Sequence, residues 1–163
     1  MKGITPSGGT FETYRPMISA AAGLTLGQVC AITGLEPSTV QNWVKRGFVA
    51  RPVNKKYGER QLARILLISA LRDGMRIEDV GALLRYVNGD ANDESDDMLP
   101  EDRLYDCFCR ALETGAEKAA AELSLDPLPK KRLVAALEIM VNASAAGEYR
   151  RKAETLLSEL KEK

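Results

Sequence analysis

The run "AITGLEPSTVQNWVKRGF", residues 31–48, limits the possible folds of this chain more than any other stretch. Upstream of it, from Leu26, apolar residues fall at helical spacing: Val29, Ile32 and, after a glycine, Leu35. Gly34 suits the left-handed conformation that ends a helix, and Pro37 or Ser38 suits the opening of the next. Two helices therefore meet across a tight connection. The second runs from about Ser38 to Arg46 and is stopped by Gly47. A helix this short is marginal in isolation and needs an anchor. Val40, Trp43 and Val44 lie three and four residues apart and share one face. Thr39, Gln41, Asn42, Lys45 and Arg46 take the remainder. The single tryptophan of the chain thus anchors a helix whose other side carries amides and cations.

Around this unit the chain reads as almost entirely helical. "MKGITPSGGTFETYRP" at the start has no periodicity and predicts a loose tail, with residues 1–23 as a lead-in. "FVARPVNKKYG" is too rich in β-branched and proline positions for helix and predicts a small extended excursion. A stronger helix is expected from about Glu59 to Asp73, broken by Gly74, and another from Ile77 to Tyr86. "NGDANDESDDMLPED" follows as a charged, solvated hinge, its centre at 91–100. Beyond it, the periodicities of Leu104, Phe108 and Leu112, of Leu133, Leu137, Met140 and Val141, and of Tyr149 to Leu160 predict three short helices over 101–163.

The formal net charge is zero, yet the charges are segregated. Residues 24–76 hold nine basic and three acidic side chains, and residues 77–126 hold four basic and fourteen acidic. A partner meets a face and not an average, so the basic half suggests a polyanion. The plain alternative is a solvated surface. Three cysteines, Cys30, Cys107 and Cys109, form no disulfide pattern and fit a reducing compartment. Cys107 and Cys109 point about 200° apart on a helix and read as buried thiols, not a shared metal site. No apolar run is long enough for a membrane span, and "MISAAAGLTL" lacks a clear cleavage site, so a cytoplasmic protein is expected. Asp90, Asn92, Glu94, Asp96 and Glu101 fall in an EF-hand register, but Ser95 stands where the loop needs glycine and Pro100 interrupts it. No metal and no cofactor are expected. With no histidine, no nucleophile elbow and no phosphate loop, no enzyme is expected either.

Helix, glycine-containing turn and helix is the order of a helix-turn-helix, and a second helix of this kind fits the major groove of DNA. "LTLGQVCAITGLEPSTVQNWVKRGFV" resembles the first two helices of MerR-type winged-helix regulators. "RPVNKKYGERQLARILLISALRDGMRIEDVGALL" is similar to that family's basic wing and its paired third and fourth helices. The run "QNWVKRGFVARPVNKKYGERQLARI" is closer still to a bacterial domain-of-unknown-function family of MerR-like type. The resemblance spans about residues 24–97.

It implies an all-α fold: a winged helix-turn-helix with a small wing over 24–90, followed by a C-terminal helical bundle for dimerisation or effector response. It also implies a DNA-contacting set. Ser38 and Thr39 would stand at the start of the recognition helix, with Gln41 and Asn42 where the family has an Arg-Tyr pair. Lys45 and Arg46 would close the helix, Arg51, Lys55 and Lys56 would lie on the wing, and Tyr57 and Arg60 at its foot. An amide pair suits adenine edges better than guanine. MerR dimers pair through one long helix directly after the fourth, and here an acidic loop and short helices are expected instead. The function expected is sequence-specific transcriptional regulation on double-stranded DNA as a homodimer, with any effector unknown. The runner-up is a protein-interaction adaptor whose winged helix no longer binds DNA.

Overall fold

A computed structural model describes residues 10–162 of the chain, and within them the fold is all-α. A 3-10 turn over Phe11–Thr13 leads into α1 (Arg15–Ala20), α2 (Leu26–Thr33) and α3 (Pro37–Lys45). Then come α4 (Glu59–Leu71), α5 (Ile77–Asn88), α6 (Glu101–Thr114), α7 (Ala116–Ala121) and α8 (Pro127–Lys161).

Local chemistry sets most of these boundaries. The side chain of Thr25 accepts from the backbone N–H of Gln28, and Gln28 Oε1 accepts from the backbone of Thr25, which caps α2. Gly34 ends α2 at φ 70°, and Pro37 stands in the first turn of α3. Gln61 Oε1 accepts from Gly58 N at 2.9 Å and starts α4.

Hydrophobic burial joins these helices into one continuous core that runs from Phe11 to Ala143. α4 is its axis: Leu62, Ile65, Leu67, Ile68 and Leu71 are fully buried. α6 packs on α4, and α6, α7 and α8 pack on one another.

Three expectations change. Residues 10–16 are not a tail, because Phe11 is in the core and its backbone N–H donates to Asp106 Oδ1 at 2.6 Å. Arg15 pairs with Glu12, Glu59 and Asp102 and fastens the segment to α4 and α6. Residues 1–9, the rest of that expected tail, lie outside the described residues.

The second change concerns the C-terminus, where the periodicities of 133–141 and 149–160 belong to the single 35-residue helix α8. Gly147 is where α8 crosses the α4–α5 turn. A Cβ on Gly147 would stand 3.1 Å from Asp73 Cβ, and one on Gly74 only 1.7 Å from Ala143 O. Arg151 locks the crossing through Asp73 at 2.6 Å. From Glu148 onward, apart from half-buried Arg151, α8 is exposed through Glu162.

The acidic segment is also more ordered than a repulsive hinge. Buried Asn88 donates to Leu99 O at 2.9 Å and accepts from Met98 N at 3.0 Å. Asp93 and Asp96 accept from nearby backbone N–H groups at Ser95 and Asp90. Glu101 turns inward to Arg64 at 2.7 Å and is unavailable as the twelfth ligand of a calcium loop. Cys107 and Cys109 are buried, and burial pushes both thiols up to about 11.

Candidate nucleic-acid interface

α3 meets the body through Val40 and Trp43, with Val44 half-buried. The guanidinium of Arg72 lies 5.5 Å from the centre of the Trp43 ring and closes over it from α4's end. The opposite side of the helix carries Ser38, Gln41, Asn42 and Lys45, all exposed, with Arg46 at its end and Thr39 half-buried. This is the division of faces that the spacing predicts. Gly47, at φ 79°, then reverses the chain.

Arg46 stacks over the Phe48 ring at 4.7 Å and pairs with Glu78 at 2.8 Å. Its charge is therefore partly matched within the chain, and the carboxyl of Glu78 is held below the usual range by that bond.

The expected extended excursion is small. Val53 and Lys56 pair across a two-residue turn, with N···O distances of 3.0 and 2.9 Å, and Leu24 pairs with Tyr57. Asn54 and Lys55 at the tip have φ of 51° and 62°. Both signs are positive, as in the type I′ turns that suit hairpins. Asn tolerates this region, whereas a lysine there costs about 1 kcal/mol relative to glycine. Lys55 is exposed, and neither Lys45, Arg51 nor Lys55 forms an ion pair among the described residues. The Arg51 side chain is exposed, while its backbone N–H donates to Asn92 Oδ1 and its carbonyl accepts from Gln61 Nε2.

Three members of the predicted set stand differently. Tyr57 is 4% exposed; its ring belongs to the core and offers no contact surface. Arg60 is drawn toward the acidic segment, with Glu94 at 3.2 Å and Asp97 at 3.4 Å. Lys56 is half-buried and donates to Ala21 O at 3.4 Å.

Arg64, counted with the basic half, is buried: its Nε donates to Phe48 O and its Nη1 to Glu101. That burial lowers its pKa despite the carboxylate beside it. A charged residue inside "LARILLISAL" is the signal that a buried partner is needed, though nothing local names Glu101.

What results is an all-α protein that presents a polar, cationic helix face from a short helix held by one tryptophan. The chain belongs to the family described as Domain of unknown function (DUF1836), whose sequence profile matches residues 24–108. The match runs through the acidic segment into α6 and includes the Arg64–Glu101 pair. "Uncharacterized protein YkrK" of Bacillus subtilis (strain 168) is 29% identical over 92 residues, which covers 54% of this chain and 40% of that protein. The chain thus spans less than half of that relative. No solved structure matches.

Proposed function

We propose that this protein is a DNA-binding transcriptional regulator of the MerR-like winged helix-turn-helix type. On this reading α3 is the recognition helix and the Val53–Lys56 hairpin is a reduced wing. The observation that carries it is the outer face of α3, where Ser38, Gln41, Asn42 and Lys45 stand exposed on a helix whose inner face is anchored by Val40 and Trp43. Gln41 and Asn42 carry paired donors and acceptors suited to adenine edges in a major groove. Among the described residues, Lys45, Arg51 and Lys55 have no carboxylate partner to displace before meeting a phosphate. A lysine kept at the left-handed tip of the hairpin, where glycine is easier, is consistent with a contact role. Arg46 contributes less, since Glu78 competes for it, and Tyr57 is left out of the contact set.

The protein acts as a homodimer on this reading. One winged helix reads only a few base pairs, and genomic competition favours two-fold pairing. The free end of α8 supplies the contact: Tyr149, Leu156, Leu157 and Leu160 are exposed at helical spacing. A second copy of the same helix end would cover them.

Neutralising Lys45 and Lys55 together should weaken binding to all DNA sequences. The log–log salt slope should fall by about 0.9 for each phosphate that is no longer neutralised. An unchanged slope rejects this face as the DNA surface. Absence of any salt-dependent retention on random DNA favours the adaptor reading, in which the scaffold binds protein alone.

A further inference from the structure

The exposed side of α8 carries one stripe along most of the helix. Ala135, Ile139, Asn142 and Ala146 stand on its first half, and Tyr149, Ala153, Leu156 and Leu160 on its second, all of them exposed. The intervals alternate between four and three residues throughout, which is the heptad spacing that packs one helix against another. Glu148, Thr155 and Glu162 lie on the opposite side. Asn142 is the one polar member, and its Nδ2 donates to Glu138 O at 2.7 Å within the helix. It therefore needs no partner from outside.

The two halves of the stripe differ in their surroundings. The first half borders a shallow groove of about 640 Å³, with Gly74 and Met75 of the α4–α5 turn at its side. The second half extends past the body, and its large side chains are bare: Tyr149 is 75% exposed and Leu160 69%. Small residues thus edge an open groove, and large ones stand uncovered a few turns further on. Contact between two free ends covers the large residues and leaves the groove open.

A spacing that alternates four and three reads the same in both directions. A second α8 running antiparallel therefore fits the stripe from end to end. In that register Leu160 faces Ala135, Leu156 faces Ile139, Ala153 faces Asn142 and Tyr149 faces Ala146. Leu160 and Tyr149 fall on alanines, so large and small side chains interdigitate. Parallel pairing would set Ala135 on Ala135 and Leu160 on Leu160, and would leave the groove underpacked. The antiparallel contact runs over residues 135–160, about 39 Å of helix, against about 18 Å for residues 149–160 alone. It is two-fold and closed, so it stops at a dimer.

We propose that α8 pairs with α8 of a second copy in this antiparallel register, each free end filling the groove beside the other's α4–α5 turn. This rests on the dimer reading above and extends it: the partner's groove, and not its helix end alone, covers the leucines.

The test uses the full chain with Cys30→Ser, which leaves only the buried thiols of Cys107 and Cys109. To this is added either Ala135→Cys or Leu160→Cys. Mild oxidation of the two proteins after mixing should give a disulfide dimer containing one of each, and each protein alone should give none. Ile139→Glu, at a half-exposed position outside the free end, should weaken dimerisation about tenfold or more, as a charge placed in an apolar contact does. Sedimentation equilibrium reads this, with the helical circular dichroism unchanged. Thr155→Glu, on the opposite side of the helix, should dimerise like wild type. A dimer without the mixed disulfide, a Leu160→Cys protein that crosslinks to itself, or Ile139→Glu as dimeric as wild type would each overturn this register and leave a dimer of another kind. A full-length monomer overturns the register and the dimer together.

Discussion

Trp43 stands in a stretch rich in amides and cations, yet its own ring is buried in the core. Its ring is 4% exposed and lies beneath Arg72, so its contribution to any DNA contact is indirect: it holds α3 in place. Trp43→Ala should lower stability by about 3–5 kcal/mol, as large aromatic truncations in cores do, which urea unfolding followed by circular dichroism will read. A variant that unfolds like wild type yet loses DNA binding would put the indole on the nucleic acid and reverse the orientation assigned to α3. Arg64 is the charged counterpart. Composition counts it with Lys45 and Arg51, but it is 3% exposed and satisfied by Phe48 O and Glu101. Its role is to join α4 to α6. The division of α3 into an inner and an outer face was legible because both faces are written within nine residues. The fate of Arg60, Tyr57 and Arg64 was not, because their partners lie elsewhere in the chain.

Among the elements, α8 departs furthest from the pattern that the sequence suggests. Two separate apolar periodicities, over 133–141 and 149–160, suggest two short helices, and a mid-helix glycine such as Gly147 costs about 1 kcal/mol relative to alanine. Here the missing Cβ lets the helix cross the α4–α5 turn at Gly74, with backbone atoms in place of side chains at the contact. Gly74→Ala would force its methyl into Ala143 O, and α8 would have to shift. A loss of about 1–3 kcal/mol is expected, the range for overpacking. Gly27→Ala is the control: its nearest neighbour would be 3.9 Å away, in the first turn of α2. It should be neutral or stabilise by about 0.4–1 kcal/mol through the unfolded chain. Equal thermal unfolding of the two variants would remove the close crossing as the reason for glycine at position 74.

For the whole molecule, the unity of the core sets which truncations are meaningful. Ending the chain after α5 would strip α6 from α4 and leave Arg64 buried without Glu101, so such a fragment reports on folding and not on assembly. Ending it after Lys152 keeps the Arg151–Asp73 lock and removes only exposed helix. Sedimentation velocity at micromolar concentration should give a dimer for the full chain and a monomer for that truncation or for Leu156→Glu with Leu157→Glu. A full-length monomer overturns the dimer and favours the adaptor. The sequence by itself determined the all-α class, the turn between α2 and α3, the stop at Gly47 and the placement of Trp43 inward. Each of these depends on interactions within a few residues: a left-handed glycine, a proline in a first turn, a repeat of three and four. Tertiary structure alone decided that residues 10–16 join the core, that α8 is one helix, and which cations remain on the surface. Burial of a charge or of a helix face depends on what arrives from far along the chain. Arg64 and Glu101, 37 residues apart, become partners only when α6 settles on α4.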